Sequence, residues 1–278
     1  MRNLKSITLI STGHWLAANL PLVILVGLTL NGLAVTVAGA FKDADGPSLL
    51  LGLSPFQLAT VLAAVALIAR GAQHLPRSAW AETFAVILAL MPSSAVSWGA
   101  LALYATYLAF RTRDVQRIGA LLFTGLAATS LWSAVAMNWL ATPITSFEAL
   151  MVANLMSFIV PDVSWSGNVV GPTGGFKLIL LPACASADLV PKAILALAAL
   201  LALFGGALDR RFLKLAAITA VLLVLGNWLR LAGMAISAEH YALIHGPVGA
   251  NLFDLYQTFL IVAAAYFLID EVERPSHA

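Results

Sequence analysis

Three residues in the second half of the chain have side chains that can carry out chemistry together. Cys184 is the only cysteine, Arg230 stands inside a long apolar run, and His245 precedes a Gly-Pro pair. A thiolate is a nucleophile, a guanidinium stabilises negative charge, and an imidazole transfers protons near neutral pH. Together these types predict nucleophilic attack on a carbonyl group, provided that the fold brings them to one place.

Cys184 lies a few residues before a predicted helix that begins near Leu189. A free cysteine has a pKa of about 8.5, and a helix N-terminus or a cationic neighbour lowers it. The sequence therefore offers two ways to activate the thiol. The alternative is a small apolar residue at the start of a helix, which is the commoner situation for an isolated cysteine.

Arg230 is the most unusual charge in the sequence, because an arginine at the centre of a membrane span costs roughly 2.5–3.5 kcal/mol. Asn227 precedes it by three positions and therefore lies on the same helix face. We expect Arg230 to hold a developing oxyanion, and Asn227 to orient it or to donate to the same oxygen. The alternative is an arginine whose guanidinium reaches the lipid headgroups.

His245 is a candidate proton carrier between the thiol and a leaving amine. His240 is a competitor, but it lacks the Gly-Pro context. Asp188 or Asp254 is a candidate for orienting either histidine, and an ordinary loop histidine is the alternative. One cysteine without a paired spacing is weak evidence for zinc, so we expect neither a metal nor an organic cofactor.

The composition places these residues in a membrane protein. The chain is 61% hydrophobic and 10% charged, with a mean hydropathy of +0.93, whereas a soluble domain has about 25% charged residues. A net charge of +2 is too small to favour nucleic-acid binding. We therefore predict an all-α polytopic membrane protein, with residues 1–278 forming a single integral membrane domain in the lipid bilayer.

Eight apolar segments have lengths near the roughly 20 residues that cross a bilayer, although some are shorter. They are Trp15–Val37, Pro55–Ala69, Trp80–Val96, Trp98–Phe110, Ile118–Leu140, Leu189–Ala207, Phe212–Ile236 and Ala250–Ile269.

Basic residues predict the orientation of these spans, because lysine and arginine concentrate in cytoplasmic segments. With the N-terminus inside, inner segments hold 11 of the 15 Lys and Arg residues: Arg2, Lys5, Arg70, Arg77, Arg111, Arg113, Arg117, Arg210, Arg211, Lys214 and Arg274. Both chain ends are then cytoplasmic and the number of spans is even. Six spans also satisfy this parity, and Cys184 faces outward in either case.

The segment 141–188 is the longest between spans and is predicted to lie outside. Ser146–Val160 is typical of an amphipathic interfacial helix, capped by Thr145 or Ser146 and ended by Pro161. Two extended runs around a Gly/Pro turn then predict a small hairpin or loop before the sixth span: Val163–Val170, Gly171–Gly175 and Phe176–Leu181.

This pattern resembles the exosortase/archaeosortase family of membrane sorting enzymes. The matching positions are Cys184 after a strand-like apolar run, Asn227 and Arg230 as N-x-x-R, and His245 and Gly249 as H-x-x-x-G. The resemblance covers roughly residues 168–253, and the first five spans match only in hydropathy. Many members have Ser-Gly after the cysteine where this chain has Ala-Ser, which leaves the subfamily and the signal motif open.

The resemblance implies a cysteine peptidase or transpeptidase of the cell (inner, or cytoplasmic) membrane, with its active site facing outward. Its substrate is an exported protein whose C-terminal sorting signal comprises a short motif, a transmembrane tail and a basic end. Cys184 forms a thioester, Arg230 stabilises the oxyanion, and His245 transfers protons before an acceptor takes the new C-terminus. The residues expected to bind or orient the substrate are Asn227, Gly249 and Asp188.

Two other classes of function compete. An intramembrane arginine near a histidine is also typical of a transporter or channel component, although the sequence has neither paired broken helices nor an internal repeat. The other alternative is a structural membrane partner in which the thiol is inert.

The topology gives a first prediction. Reporters fused after Asp162 and after Arg211 should report opposite sides of the membrane, because a single span separates an outer from a basic inner segment. Alkaline phosphatase and green fluorescent protein fusions measure the two sides. Signals from the same side at both positions would contradict the predicted topology.

Overall fold

The computed structural model describes residues 19–40, 54–70 and 75–273, and this part of the chain is predominantly helical. Its ten α-helices are α1 (Leu20–Ala40), α2 (Pro55–Ala69), α3 (Ala79–Ala89), α4 (Ser94–Arg111), α5 (Asp114–Leu131), α6 (Met137–Met156), α7 (Ser186–Leu203), α8 (Arg210–Ala235), α9 (Ala238–His245) and α10 (Pro247–Glu273).

Three of the described helices are long and apolar enough to cross a membrane: α7, α8 and residues 247–269 of α10. Shorter apolar helices lie at residues 20–34 of α1, in α2 and in α3. The bounds of α2 are those predicted for the second span, Pro55–Ala69. Trp15, at the start of the first predicted span, lies outside the described residues, as do the basic residues Arg2, Lys5 and Arg274.

The first helices pack around one apolar cluster. Leu25 and Leu28 of α1 meet Leu67 of α2, Leu101 of α4 and Phe123 of α5, and all five side chains are fully buried. Burying an aliphatic or aromatic side chain contributes about 1.5–3 kcal/mol relative to its exposed state in water. This cluster forms the frame against which α7 packs through Ala199 and Ala202.

The last three long helices form a second cluster, and one close contact sets the distance between α8 and α10. The ring of Tyr256 lies against Gly226, where an added Cβ atom would stand 2.5 Å from the ring. The Tyr256 hydroxyl donates a hydrogen bond to the Leu222 carbonyl at 2.8 Å. Asn227 and Arg230 follow within the next turn or so of α8, so this contact helps to set their position relative to α10.

The predicted break between the fifth span and the interfacial helix Ser146–Val160 is wrong. A π-helical segment, Trp132–Ala136, joins α5 to α6, and the helix continues to Met156. Thr145 does not cap a helix, because its hydroxyl donates back to the Ala141 carbonyl at 2.7 Å, as threonines inside helices do. A Thr-Pro-Ser composition that is typical of a helix start here lies within a helix.

A small antiparallel sheet follows α6: β1 (Val163–Ser166), β2 (Val169–Pro172) and β3 (Leu178–Ile179). The predicted hairpin therefore contains a further turn inside its first extended run. Ser166 pairs with Val169, leaving a two-residue turn in which Gly167 has a φ of 57°, a conformation that glycine adopts freely. Asn168 then holds Leu180 through two hydrogen bonds, at 2.9 and 2.8 Å.

The corner between α9 and α10 requires a glycine. A Cβ atom on Gly249 would lie 2.3 Å from the carbonyl oxygen of Ile244 and 2.5 Å from its Cα atom. Both are backbone atoms of α9, which cannot move aside as a side chain does. Gly249 therefore allows α10 to begin against α9, next to His245.

Gly249→Ala should destabilise the protein by about 1–3 kcal/mol, because the added methyl group overpacks the corner. Gly99→Ala in α4 is the matched control, since nothing lies within 4 Å of a Cβ atom there. Thermal unfolding in detergent, followed by size-exclusion chromatography, measures the difference. Equal stability of the two variants would contradict the close packing at the corner.

Candidate active site

A cavity of about 540 Å³ lies where the start of α2, the turn before α7, and the facing sides of α8 and α10 meet. Its polar and reactive lining includes Cys184, Asp188, Lys192, Asn227, Arg230, Asp254 and Gln257. The fold thus brings four of the six predicted site residues to one cavity: Cys184, Arg230, Asn227 and Asp188.

Cys184 ends a short 3₁₀ turn, Pro182–Cys184, between β3 and α7. The turn positions the residue through its backbone: the Cys184 N–H donates to Leu181 at 2.9 Å, and the Cys184 carbonyl accepts from Asn227 Nδ2 at 2.8 Å. The side chain is half-buried and borders the cavity. The nucleophile candidate is therefore both held in place and accessible.

Asn227 fastens this turn to α8. The side chain is 3% exposed, and its amide nitrogen donates to the Cys184 carbonyl and, at 3.1 Å, to Ser186 Oγ. Both N–H groups of the amide are thus engaged within the protein. Asn227 holds Cys184 rather than donating to a substrate oxygen.

Glu148 of α6, which no sequence pattern singles out, holds the same segment from the other side. Its carboxylate oxygen Oε1 accepts the Ser186 backbone N–H at 2.7 Å, while Oε2 is buried without a hydrogen-bond partner in the described part of the chain. Burial raises the pKa of this carboxyl group, and the hydrogen bonds from Ser186 oppose that rise. Glu148 therefore caps α7 from a distance, since Ala185 has no capping side chain.

This cap changes the electrostatic argument for Cys184. The N-terminus of a helix carries a partial positive charge that favours a nearby thiolate. Here a carboxyl group occupies that end of α7, which offsets the effect on the thiol. The other predicted source of activation, a cation, is then the more important one.

Arg230 supplies that cation. Its side chain lines the cavity together with Cys184 and Asp254. The guanidinium carbon lies 4.7 Å from the centre of the Phe253 ring on α10, a cation–π contact that fixes its direction. Its Nε atom is buried and has no hydrogen-bond partner among residues 19–40, 54–70 and 75–273. The guanidinium borders the cavity and retains hydrogen-bonding capacity for a ligand.

Asp188, predicted to orient a histidine or the substrate, contacts Lys192 and the π-helical segment in the structure. Its carboxylate pairs with Lys192 at 2.6 Å and accepts a hydrogen bond from Ser133 of the π-helical segment. Trp132, in the same segment, donates to the Ala187 carbonyl at 3.1 Å. Asp188 therefore ties the start of α7 to the π-helical segment and does not bond to either described histidine, His240 or His245.

His245 stands apart from the other candidates. It is the exposed last residue of α9 and stacks on Tyr241, with ring centres 4.8 Å apart and planes at 18°. It is not among the residues that line the cavity. The competitor His240 lies in the first turn of α9, where its backbone N–H donates to the capping residue Ser237 and its Nδ1 atom lies 2.8 Å from Ser237 Oγ. Asp254, by contrast, lines the cavity and directly follows Phe253, the ring against which Arg230 lies.

No group of three His, Cys, Asp or Glu side chains with the spacing of a metal site occurs in the described ranges. Comparison of the chain with protein-family models, with curated proteins and with solved structures finds no match. The thiol of Cys184 and the guanidinium of Arg230 share one cavity between helices, and the guanidinium has N–H groups available to a ligand. This pair is suited to attack on a carbonyl and to stabilisation of the resulting oxyanion.

The Glu148 cap gives a prediction with two variants of similar size. Glu148→Leu should lower the stability by about 1–3 kcal/mol and change the accessibility of Cys184, because it leaves the buried Ser186 N–H without an acceptor. Glu148→Gln should be close to wild type, since its side-chain oxygen can still accept that hydrogen bond. Thermal unfolding and the rate of Cys184 alkylation measure both effects. Equal behaviour of the two variants would show that the cap is unimportant.

Proposed function

We propose that this protein is a membrane-embedded cysteine peptidase or transpeptidase of the exosortase type. It cleaves the C-terminal sorting signal of exported proteins through a thioester intermediate. The observation that carries the proposal is that Cys184 and Arg230, which are far apart in sequence, line the same cavity. Support also comes from Asn227, which holds the backbone of the nucleophile candidate.

The reaction follows from the types of group present. The Cys184 thiolate attacks the scissile carbonyl carbon, and the carbonyl oxygen becomes an oxyanion beside the Arg230 guanidinium. When the tetrahedral intermediate collapses, the C–N bond breaks, the amine leaves with a proton, and an acyl thioester remains on the sulfur. Water or the amine of an acceptor then attacks the thioester and restores the thiol.

Two residues are candidates for the proton carrier. The family resemblance favours His245, because imidazole side chains commonly transfer protons near neutral pH. Position favours Asp254, because it lines the cavity together with Cys184 and Arg230. His245→Ala and Asp254→Asn separate the two, since the variant of the true carrier should slow both formation and breakdown of the thioester.

The membrane arrangement is part of the proposal. Eight spans with both ends in the cytoplasm place the segment 141–188 and the cavity on the outer side of the cell membrane. Of the helices that line the cavity, α7, α8 and residues 247–269 of α10 are long and apolar enough to span a bilayer. A substrate tail helix that packs laterally beside these helices holds its scissile bond near Cys184, which raises the effective concentration of the reacting groups.

Processing in cells tests the proposal. Cys184→Ala should abolish cleavage and accumulate tail-bearing substrate in membranes, and Cys184→Ser should also fail, because a hydroxyl is far less acidic than a thiol. Arg230→Lys should reduce the rate by about 100-fold, since an ammonium lacks the planar fork that holds an oxyanion. Immunoblots of candidate exported proteins with apolar, basic-ended tails measure the processed fraction at matched expression.

His240→Ala is the control, because His240 lies in the first turn of α9 and does not line the cavity, so the variant should leave processing nearly normal. Full processing by Cys184→Ala would end the assignment of the nucleophile. An Arg230 that faces a cavity between helices would then favour the transporter or channel alternative.

A further inference from the structure

Gln257 on α10 is a buried amide that finds no partner within the described protein. The residue is 5% exposed, lines the same cavity as Cys184 and Arg230, and makes no hydrogen bond to any described residue. Buried side-chain amides nearly always have hydrogen-bond partners, and the amide atoms of Gln257 are not among the fully enclosed side-chain atoms that lack one in the described part of the chain, so the amide is open to the cavity. A buried amide in this state, on the wall of a cavity, indicates a contact for a ligand.

The position of Gln257 relative to Arg230 follows from helix geometry. Gln257 lies four residues after Phe253, the ring beneath the Arg230 guanidinium, and therefore one helical turn further along the same face. That turn leads away from the α9 corner and towards the middle of α10, by about 5–6 Å. The two groups thus stand at successive levels of one cavity wall.

The chemistry of the side chain identifies the class of ligand group. A carboxamide offers both N–H donors and a carbonyl acceptor, which is the complement of a peptide group. It carries no charge, and the other cation of the wall, Lys192, is already paired with Asp188. An extended chain advances about 3.3 Å per residue, so a peptide group two residues from a carbonyl at Arg230 comes level with Gln257.

We propose that Gln257 binds a backbone peptide group of the substrate on the C-terminal side of the scissile bond, where the extended chain becomes the membrane-spanning tail. This inference rests on the proposed function. Gln257 lies further into a helix that is long enough to span the membrane, and the tail of the substrate continues in that direction. The first turn of any tail helix has N–H groups without intrahelical partners, which hydrocarbon cannot satisfy.

Protection of Cys184 by a synthetic tail peptide tests this contact. The probe is an acetylated oligoalanine segment joined to an apolar Leu/Ala helix of about 20 residues with a lysine-rich C-terminus. The full-length protein in lipid vesicles is treated with iodoacetamide at increasing peptide concentrations. The concentration that halves the alkylation rate should be about fivefold higher for Gln257→Met, because one hydrogen bond contributes about 1 kcal/mol.

Gln257→Asn should raise this concentration similarly, because asparagine keeps the amide but its side chain is one methylene shorter and does not extend to the peptide group. Gln116→Met on α5 is the matched control and should leave it unchanged, because Gln116 does not line the cavity. An unaltered alkylation rate without peptide shows that each variant is folded. If the methionine variant loses that rate, the asparagine variant carries the test.

Equal protection of wild type and both Gln257 variants would overturn the assignment of Gln257. A peptide that does not protect the wild type would overturn it as well. Neither result bears on whether Cys184 is the nucleophile, since loss of processing by Cys184→Ala is measured independently. Normal processing by Cys184→Ala, together with protection that depends on Gln257, would support peptide binding in the cavity and contradict the proposed peptidase activity.

Discussion

The hydrogen bond from the Asn227 amide to the Cys184 carbonyl is the contact on which the site depends. It joins the turn before α7 to α8, and Arg230 lies on the same face of α8 one turn further along. The bond therefore sets the distance between the nucleophile candidate and the cation. Because Asn227 is buried, where the dielectric constant is low, the bond is electrostatically stronger than it would be in water.

Polar groups surround this bond in a layer of otherwise apolar helices. Glu148 holds the Ser186 N–H from one side, and Asp188 ties α7 to the π-helical segment from another. A π-helical turn in place of an α-helical one rotates the side chains that follow, and such turns often occur at functional sites. Within the described residues, these contacts fix the Cys184 segment between α6 and α8, while Arg230 and Gln257 keep hydrogen-bonding capacity facing the cavity.

The sequence predicted those features that depend on the spacing of nearby residues, such as helix bounds and shared helix faces. Apolar length gave α2 its bounds, and the N-x-x-R spacing placed Asn227 and Arg230 on one helix face. The continuity of α5 with α6 was missed, because Thr145 can either cap a helix or bond back within one. Glu148 and Gln257 were missed because their importance lies in contacts with distant parts of the chain, which periodicity does not contain. The role of His245 stays a prediction that rests on the family resemblance.

The Arg230 cation should stabilise negative charge on any group that bonds to the Cys184 sulfur. Iodoacetate and iodoacetamide test this directly, because they have nearly the same size and differ by one negative charge. The iodoacetate rate divided by the iodoacetamide rate at Cys184 should fall about fivefold in Arg230→Gln, which corresponds to losing roughly 1 kcal/mol of attraction, the order expected for a nearby pair of unit charges in water. Arg117→Gln, remote on α5, should not change the ratio. An unchanged ratio in Arg230→Gln would contradict the account.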